Sequence, residues 1–257
     1  MEFNRTLWKG DFTKDDVPKW KCPDCQNGTL FIDKDTFKCE FDNKSKKLYA
    51  EDYAEIEMLS LKFKSDLVCD DKDCGERVYM MGVGSPEENF YRDPKDPSST
   101  VIEYFQPTAI LPAPYIISIP DGISSKLENL LISSFSLFWG DISSCANKIR
   151  IFIEYLLDDQ GVARHPIDKA GIADLNRMLG LHSRLKRFQT SNSGLADKLM
   201  AVKWLGNTAS HSGFIDDDDL LDAFELIDFV LDELYVAPQK RLSSEKIASR
   251  LTEKHGK

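Results

Sequence analysis

Four cysteines constrain this chain more than any other feature. They fall as two close pairs, Cys22-Pro23-Asp24-Cys25 and Cys69 with Cys74, with 43 residues between the pairs. Two thiol pairs at knuckle spacing can close a tetrahedral all-thiolate shell around Zn²⁺. A segment with a small apolar core takes much of its stability from such an ion, so the front of the chain is expected to be a metal-folded module. No His or water-bearing carboxylate joins the set, which points to a structural zinc and not a catalytic one. The chain opens Met1-Glu2-Phe3-Asn4-Arg5 with no apolar leader, so free thiols and a cytoplasmic setting are expected in place of disulfides.

Around the thiols, Thr29–Asp33 and Thr36–Phe41 read as two short strands joined by a turn, with Cys39 alternating inward as a small apolar residue. Val78–Met81 reads as a strand leaving the second pair. This is the layout of a zinc ribbon with an insertion between its knuckles. Seven of the eleven prolines fall within residues 85–120, a stretch expected to be an extended connector. Beyond it the apolar period changes from two to about 3.6. Leu127–Phe138, Ile142–Leu156, Leu195–Leu205 and Leu220–Leu234 each carry a helical stripe, and one or two shorter helices are expected over 167–188. The acids Asp216 to Asp219 stand where a helix N-terminus favours negative charge. A short polar helix is expected from Ser243 to about Glu253. The expected fold class is therefore α+β: a zinc-ribbon-like domain (1–84), a proline-rich connector (85–120), an α-helical bundle (121–236) and a C-terminal tail helix (237–257).

A net charge of −10 argues against a general nucleic-acid coat. The charge is uneven, however. Residues 164–203 carry eight basic side chains against three acidic ones, while residues 216–233 carry nine acids and no base. Such segments can attract one another within a bundle or across a homodimer, are solvated faces, or offer a local patch to nucleic acid. No run of apolar residues is long enough for a membrane span.

A second constellation is Arg150 and Glu154, one helical turn apart, with Asn207 and His211 on a later helix end. A His as proton shuttle, an orienting amide and a phosphate-binding cation are what metal-independent RNA cleavage requires. The same four residues also suit a polar network that stitches helix ends together.

The segments Ile149–Gly161, Leu199–His211 and Asp222–Tyr235 carry an Arg-x-x-x-Glu helix, a Gly206-Asn207…His211 helix end and a closing Leu234-Tyr235. They resemble the bacterial domain-of-unknown-function family 4145, and the Cys69–Cys74 knuckle resembles the zinc-binding part found before it. The resemblance implies a helical bundle that occurs alone or fused to prokaryotic restriction and defence enzymes. Its layout is similar to HEPN domains, many of them dimeric ribonucleases with an Arg…His motif. Here the nearest basic residue upstream of His211 is Lys203, so that motif is incomplete. The leading expectation is a non-catalytic, zinc-containing interaction or regulatory module, with a protein partner or a second copy as its target. A ribonuclease using His211, or a zinc-ribbon nucleic-acid binder, are the alternatives.

Overall fold

The computed structural model describes residues 3–50, 55–88, 101–168, 171–210 and 215–255, with the backbone alone for 208–210. The chain divides into two compact units: Met1–Ile116 with Phe135–Gly140, and Ile117–Ser134 with Asp141–Lys257. The first is built on a sheet and the second on helices, so the mixed α and β character expected from the sequence is present.

The first unit is a five-stranded antiparallel sheet. Its strands are β1 (Leu30–Ile32), β2 (Lys38–Phe41), β3 (Leu61–Cys69), β4 (Arg77–Glu88) and β5 (Val101–Leu111). The sheet runs β1-β3-β4-β5, and β2 also pairs with β3. In β3 every second residue (Leu61, Phe63, Ser65, Leu67, Cys69) is buried, the period-two alternation of a sheet with one wet face. The dry face is aromatic: Phe63 and Phe105 lie 5.1 Å apart, and Phe12 and Phe37 close on them at 5.1–6.0 Å. Trp8, Trp20, Phe138 and Trp139 form a second aromatic cluster, with Trp20 donating from Nε1 to Leu7 O at 2.7 Å.

Two expectations for this unit change. The strands flanking Asp33 do not form a hairpin. Both β1 and β2 pair with β3, at Leu67–Cys69 and Leu61–Lys64 respectively, because one nine-residue strand has length for both. A helix, α1 (Asn43–Ala50), stands between them and β3. Where it is described, the stretch 85–120 is largely strand and not a connector, since β4 continues to Glu88 and β5 pairs with it from Tyr79↔Leu111 to Glu88↔Val101, while 89–100 lie outside the described residues. Prolines are tolerated there because β5 is the terminal strand of the order, and Pro107 faces Gly82 beside an irregularity of register at Met81/Gly82.

The second unit holds most of α2 (Ser125–Phe138), then α3 (Ile142–Asp159), α4 (Leu181–Phe188), α5 (Ser193–Ser210), α6 (Asp217–Leu231) and α7 (Ala237–His255). In α3, Cys145, Ile149, Phe152, Ile153 and Leu156 are buried, the expected stripe. Cys145 is core, its Sγ 3.2 Å from Ser134 O. Asp216 caps α6 through a reciprocal capping box with Asp219, so the aspartate run is a helix start. One or two helices were expected over 167–188; among the described residues only α4 is helical there, while 167–168 and 171–180 carry turn hydrogen bonds such as Arg177 N to Asp174 O. The tail helix is longer than expected. It follows α6 through a π-helical turn at Asp232–Val236 and has no buried side chain.

Phe105 touches three other rings and is fully buried, so Phe105→Ala should cost about 4 kcal/mol. Chemical denaturation of the two proteins would measure it; a loss under about 1 kcal/mol would mean the aromatic cluster is not what holds the sheet.

Candidate functional site

Local backbone geometry prepares the four thiols. Each pair sits in a tight turn whose second cysteine is followed by a left-handed residue, Gln26 (φ 56°) after Cys25 and Gly75 (φ 61°) after Cys74. Cys22 N donates to Gly28 O and Gln26 N to Cys22 O, closing the first knuckle. Cys69, the last residue of β3, donates its N–H to Glu76 O, and Gly75 N reaches Asp71 O to close the second. Pairing of Leu30 with Cys69 then lays the two knuckles side by side.

The four Sγ atoms lie within 4.8 Å of one another, with Cys22–Cys74 and Cys25–Cys69 each at 3.7 Å. A disulfide would bring sulfurs to about 2.05 Å. A tetrahedron of sulfurs about 2.3 Å from a central ion has edges of about 3.8 Å, so the separations fit an ion held by four thiolates. Cys39 is half-buried and outside the cluster, and burial, with Glu103 and Glu40, pushes its thiol up to about 11. Asp24 Oδ2 stands 3.7 Å from Cys74 Sγ but is not one of the group. The backbone N–H groups of Gly28 and Asn27 pull the Cys25 thiol down to about 7, while burial pushes Cys69 up to about 12. In the ion-free protein, Cys25 therefore ionises well before Cys69. The approach of Gly28 is equally specific: a Cβ there would sit 2.2 Å from Cys69 Sγ.

The helical constellation is placed only in part. Arg150 and Glu154 form an ion pair at 3.6 Å on α3, with each side chain about a third exposed. Gly206 of α5 lies against Arg150, since a Cβ on it would meet Arg150 Cβ at 3.1 Å and Ala146 O at 3.3 Å. Asn207, the next residue of α5, is half-buried. His211 lies outside the described residues.

A stronger polar network went unread in the sequence. Arg184 is 3% exposed and donates to Glu154 O, Val162 O and Asp158 Oδ1 at 2.7–2.8 Å. Arg164 completes it, with Nε on Asp158 Oδ1 at 2.8 Å and a second contact to Oδ2. Burial would raise the Asp158 pKa, but Arg164 and Arg184 outweigh it and hold the carboxyl below its ordinary value. The signal was present in α4, where Arg184 shares the buried face of Leu181, Leu185 and Phe188. Lys203 is also buried, with Nζ 3.8 Å over the Trp204 ring. Two of the eight basic residues in 164–203 thus serve the interior and not a surface patch.

These features define an α+β protein in which a four-cysteine cluster able to hold a metal ion ties together a sheet unit, and helices make up a second unit. Residues 10–109 match the family model of a domain of unknown function (DUF8608), and residues 133–254 match that of another (DUF4145). The second match covers the resemblance read from Arg150, Glu154 and the Gly206–His211 block. No curated protein and no solved structure matches the chain. Among the described residues no helix is long and apolar enough to cross a membrane.

Gly28→Ala should weaken or abolish metal uptake by the four thiols and lower the melting temperature, with metal content by elemental analysis as the readout. Asp158→Asn should cost about 3 kcal/mol at neutral pH by leaving Arg184 without its counter-charge. A carboxylate whose folded-state pKa is depressed stabilises above its unfolded value of about 3.9 and loses that contribution as pH falls. The gap between wild type and Asp158→Asn should therefore narrow below about pH 4, which thermal melts across pH would show.

Proposed function

We propose that this protein is a zinc-containing interaction or regulatory module that works by binding partners. The observation that carries the reading is the donor set. Four cysteine sulfurs within 4.8 Å of one another, two of the pairs at 3.7 Å, would fill a tetrahedral shell and leave no open position for a substrate or an activated water. Thiolates of this kind suit Zn²⁺, and the ion would act by fixing the knuckles to the sheet. On the helical side, Arg150 is engaged by Glu154, and Asp158 is shared by Arg164 and Arg184, arrangements that serve packing first. The reading extends to a prokaryotic cytoplasmic setting in defence or mobile-element systems, with a protein partner or a second copy of the chain as target; it follows the resemblance of Arg150, Glu154 and the Gly206–His211 block and goes beyond the family match itself, which is to a domain of unknown function.

Purified, unchelated protein should contain one zinc per chain, and it should not cleave RNA. Cleavage that persists in EDTA and disappears in His211→Ala would replace this reading with a ribonuclease. Protein lacking stoichiometric zinc would remove its basis.

A further inference from the structure

The wet face of the sheet has a composition that folding does not require. Register sets Lys38 of β2 directly opposite Lys64 of β3, and Lys64 opposite Met81 of β4. One row along, Glu40, Lys62 and Val83 are opposed in the same way, and all six side chains are exposed. On the other side of the lysine row, Asp66 faces Tyr79, which is 58% exposed, and Tyr79 faces Leu111, which is 64% exposed. A groove of about 750 Å³ is lined by Lys38, Glu40, Lys62, Lys64 and Met81 among others.

Like charges directly opposed on a ladder destabilise it, so the Lys38–Lys64 pair is a cost within the isolated fold. Among the described residues neither has an ion-pair partner. Lys62 faces Glu40, but that carboxylate is already held by Lys46 at 2.6 Å. Three cations gathered on one sheet face, in a chain of net charge −10, call for an anionic occupant. Lys62 and Lys64 stand two residues apart on one strand, roughly 6.8 Å, which suits anionic groups repeated along a chain better than one small ion. Beside them lie an exposed aromatic ring and exposed Met and Val side chains, surfaces that flat apolar groups can cover. An acidic peptide would use the lysines and leave Tyr79 idle.

We propose that this sheet face docks a single-stranded nucleic acid, its phosphates along Lys38, Lys62 and Lys64 and a base stacked on Tyr79. This adds a second partner class, on the sheet unit, beside the protein or second copy proposed above, and it rests on the interaction-module reading.

The test is fluorescence anisotropy of labelled single-stranded RNA and DNA of mixed sequence, titrated with the full chain over a range of salt. Three neutralised phosphates should give a slope of log K against log salt of about −2. Lys38→Gln/Lys62→Gln/Lys64→Gln should abolish that dependence, keep its metal and melt no lower than wild type, since the opposed lysine pair is relieved. Tyr79→Ala should weaken binding about tenfold with the slope unchanged. Lys186→Gln/Arg187→Gln, in the helical unit, should bind as wild type does. Absence of binding at low salt, equal binding by the triple variant, or equally tight binding of polyglutamate would each overturn the proposal. Because metal content is read on the same samples, a zinc-loaded protein that ignores nucleic acid sinks this proposal alone. A metal-free preparation counts against the interaction-module reading instead.

Discussion

The convergence of four thiols able to share one metal ion is the constraint on which the first unit turns. The loop carrying Cys22 and Cys25 has little regular pairing of its own: an isolated bridge between Lys21 and Thr29 and the turn bonds of the knuckle. Cys69 and Cys74 bracket the β3–β4 turn, so an ion shared by all four ties that loop to the end of the longest ladders in the sheet. The dry face then needs only a modest aromatic core, Phe12, Phe37, Phe63 and Phe105, to finish the job. Free thiols in that arrangement would instead be a concentration of buried polar sulfur with uneven acidity, Cys25 near 7 and Cys69 near 12. Binding an ion removes the inequality by making all four thiolates.

Legibility in the sequence followed the range of the interactions. Cys22, Cys25, Cys69 and Cys74 could be grouped because ligand spacing is local to each turn and chemistry supplies the long-range pairing. The stripes of α3, α5 and α6 were visible for the same reason, since a 3.6-residue period needs no knowledge of the partner. What stayed hidden was decided at a distance. That β1 and β2 share one edge of β3 depends on the length of β3, not on the turn between them. The proline count of 85–120 argued against strands, yet a terminal strand loses little by missing donors on its open side. Arg184 looked like one base among eight until the carbonyls of Glu154 and Val162 and the carboxylate of Asp158 came to surround it.

The two units divide their polar chemistry differently. In the helical unit, charges turn inward: Asp158 neutralises Arg164 and a nearly sealed Arg184 while Glu154 holds Arg150, and Gly206 allows α5 to approach that row of side chains closely. Buried ionic groups of this kind contribute less to net stability than to selecting one arrangement of helices, because an alternative packing would strand a charge. In the sheet unit the charges turn outward, onto strands whose backbone is already satisfied. Substitutions on the wet face therefore act on what the protein meets, and substitutions around Asp158 act on whether it folds.

Helix α7 bears a different consequence. Its nineteen residues make a rod of about 28 Å, and with no side chain buried it gains nothing from a hydrophobic core. Only its continuity with α6, through the π-helical turn, prepays the nucleation of its first turns. Leu242, Ile247 and Leu251 are about half exposed along that rod. The helix can thus fray from its far end by degrees while both cores stay shut, so its helicity would report on what lies against it, like a weathervane bolted to a building that does not move.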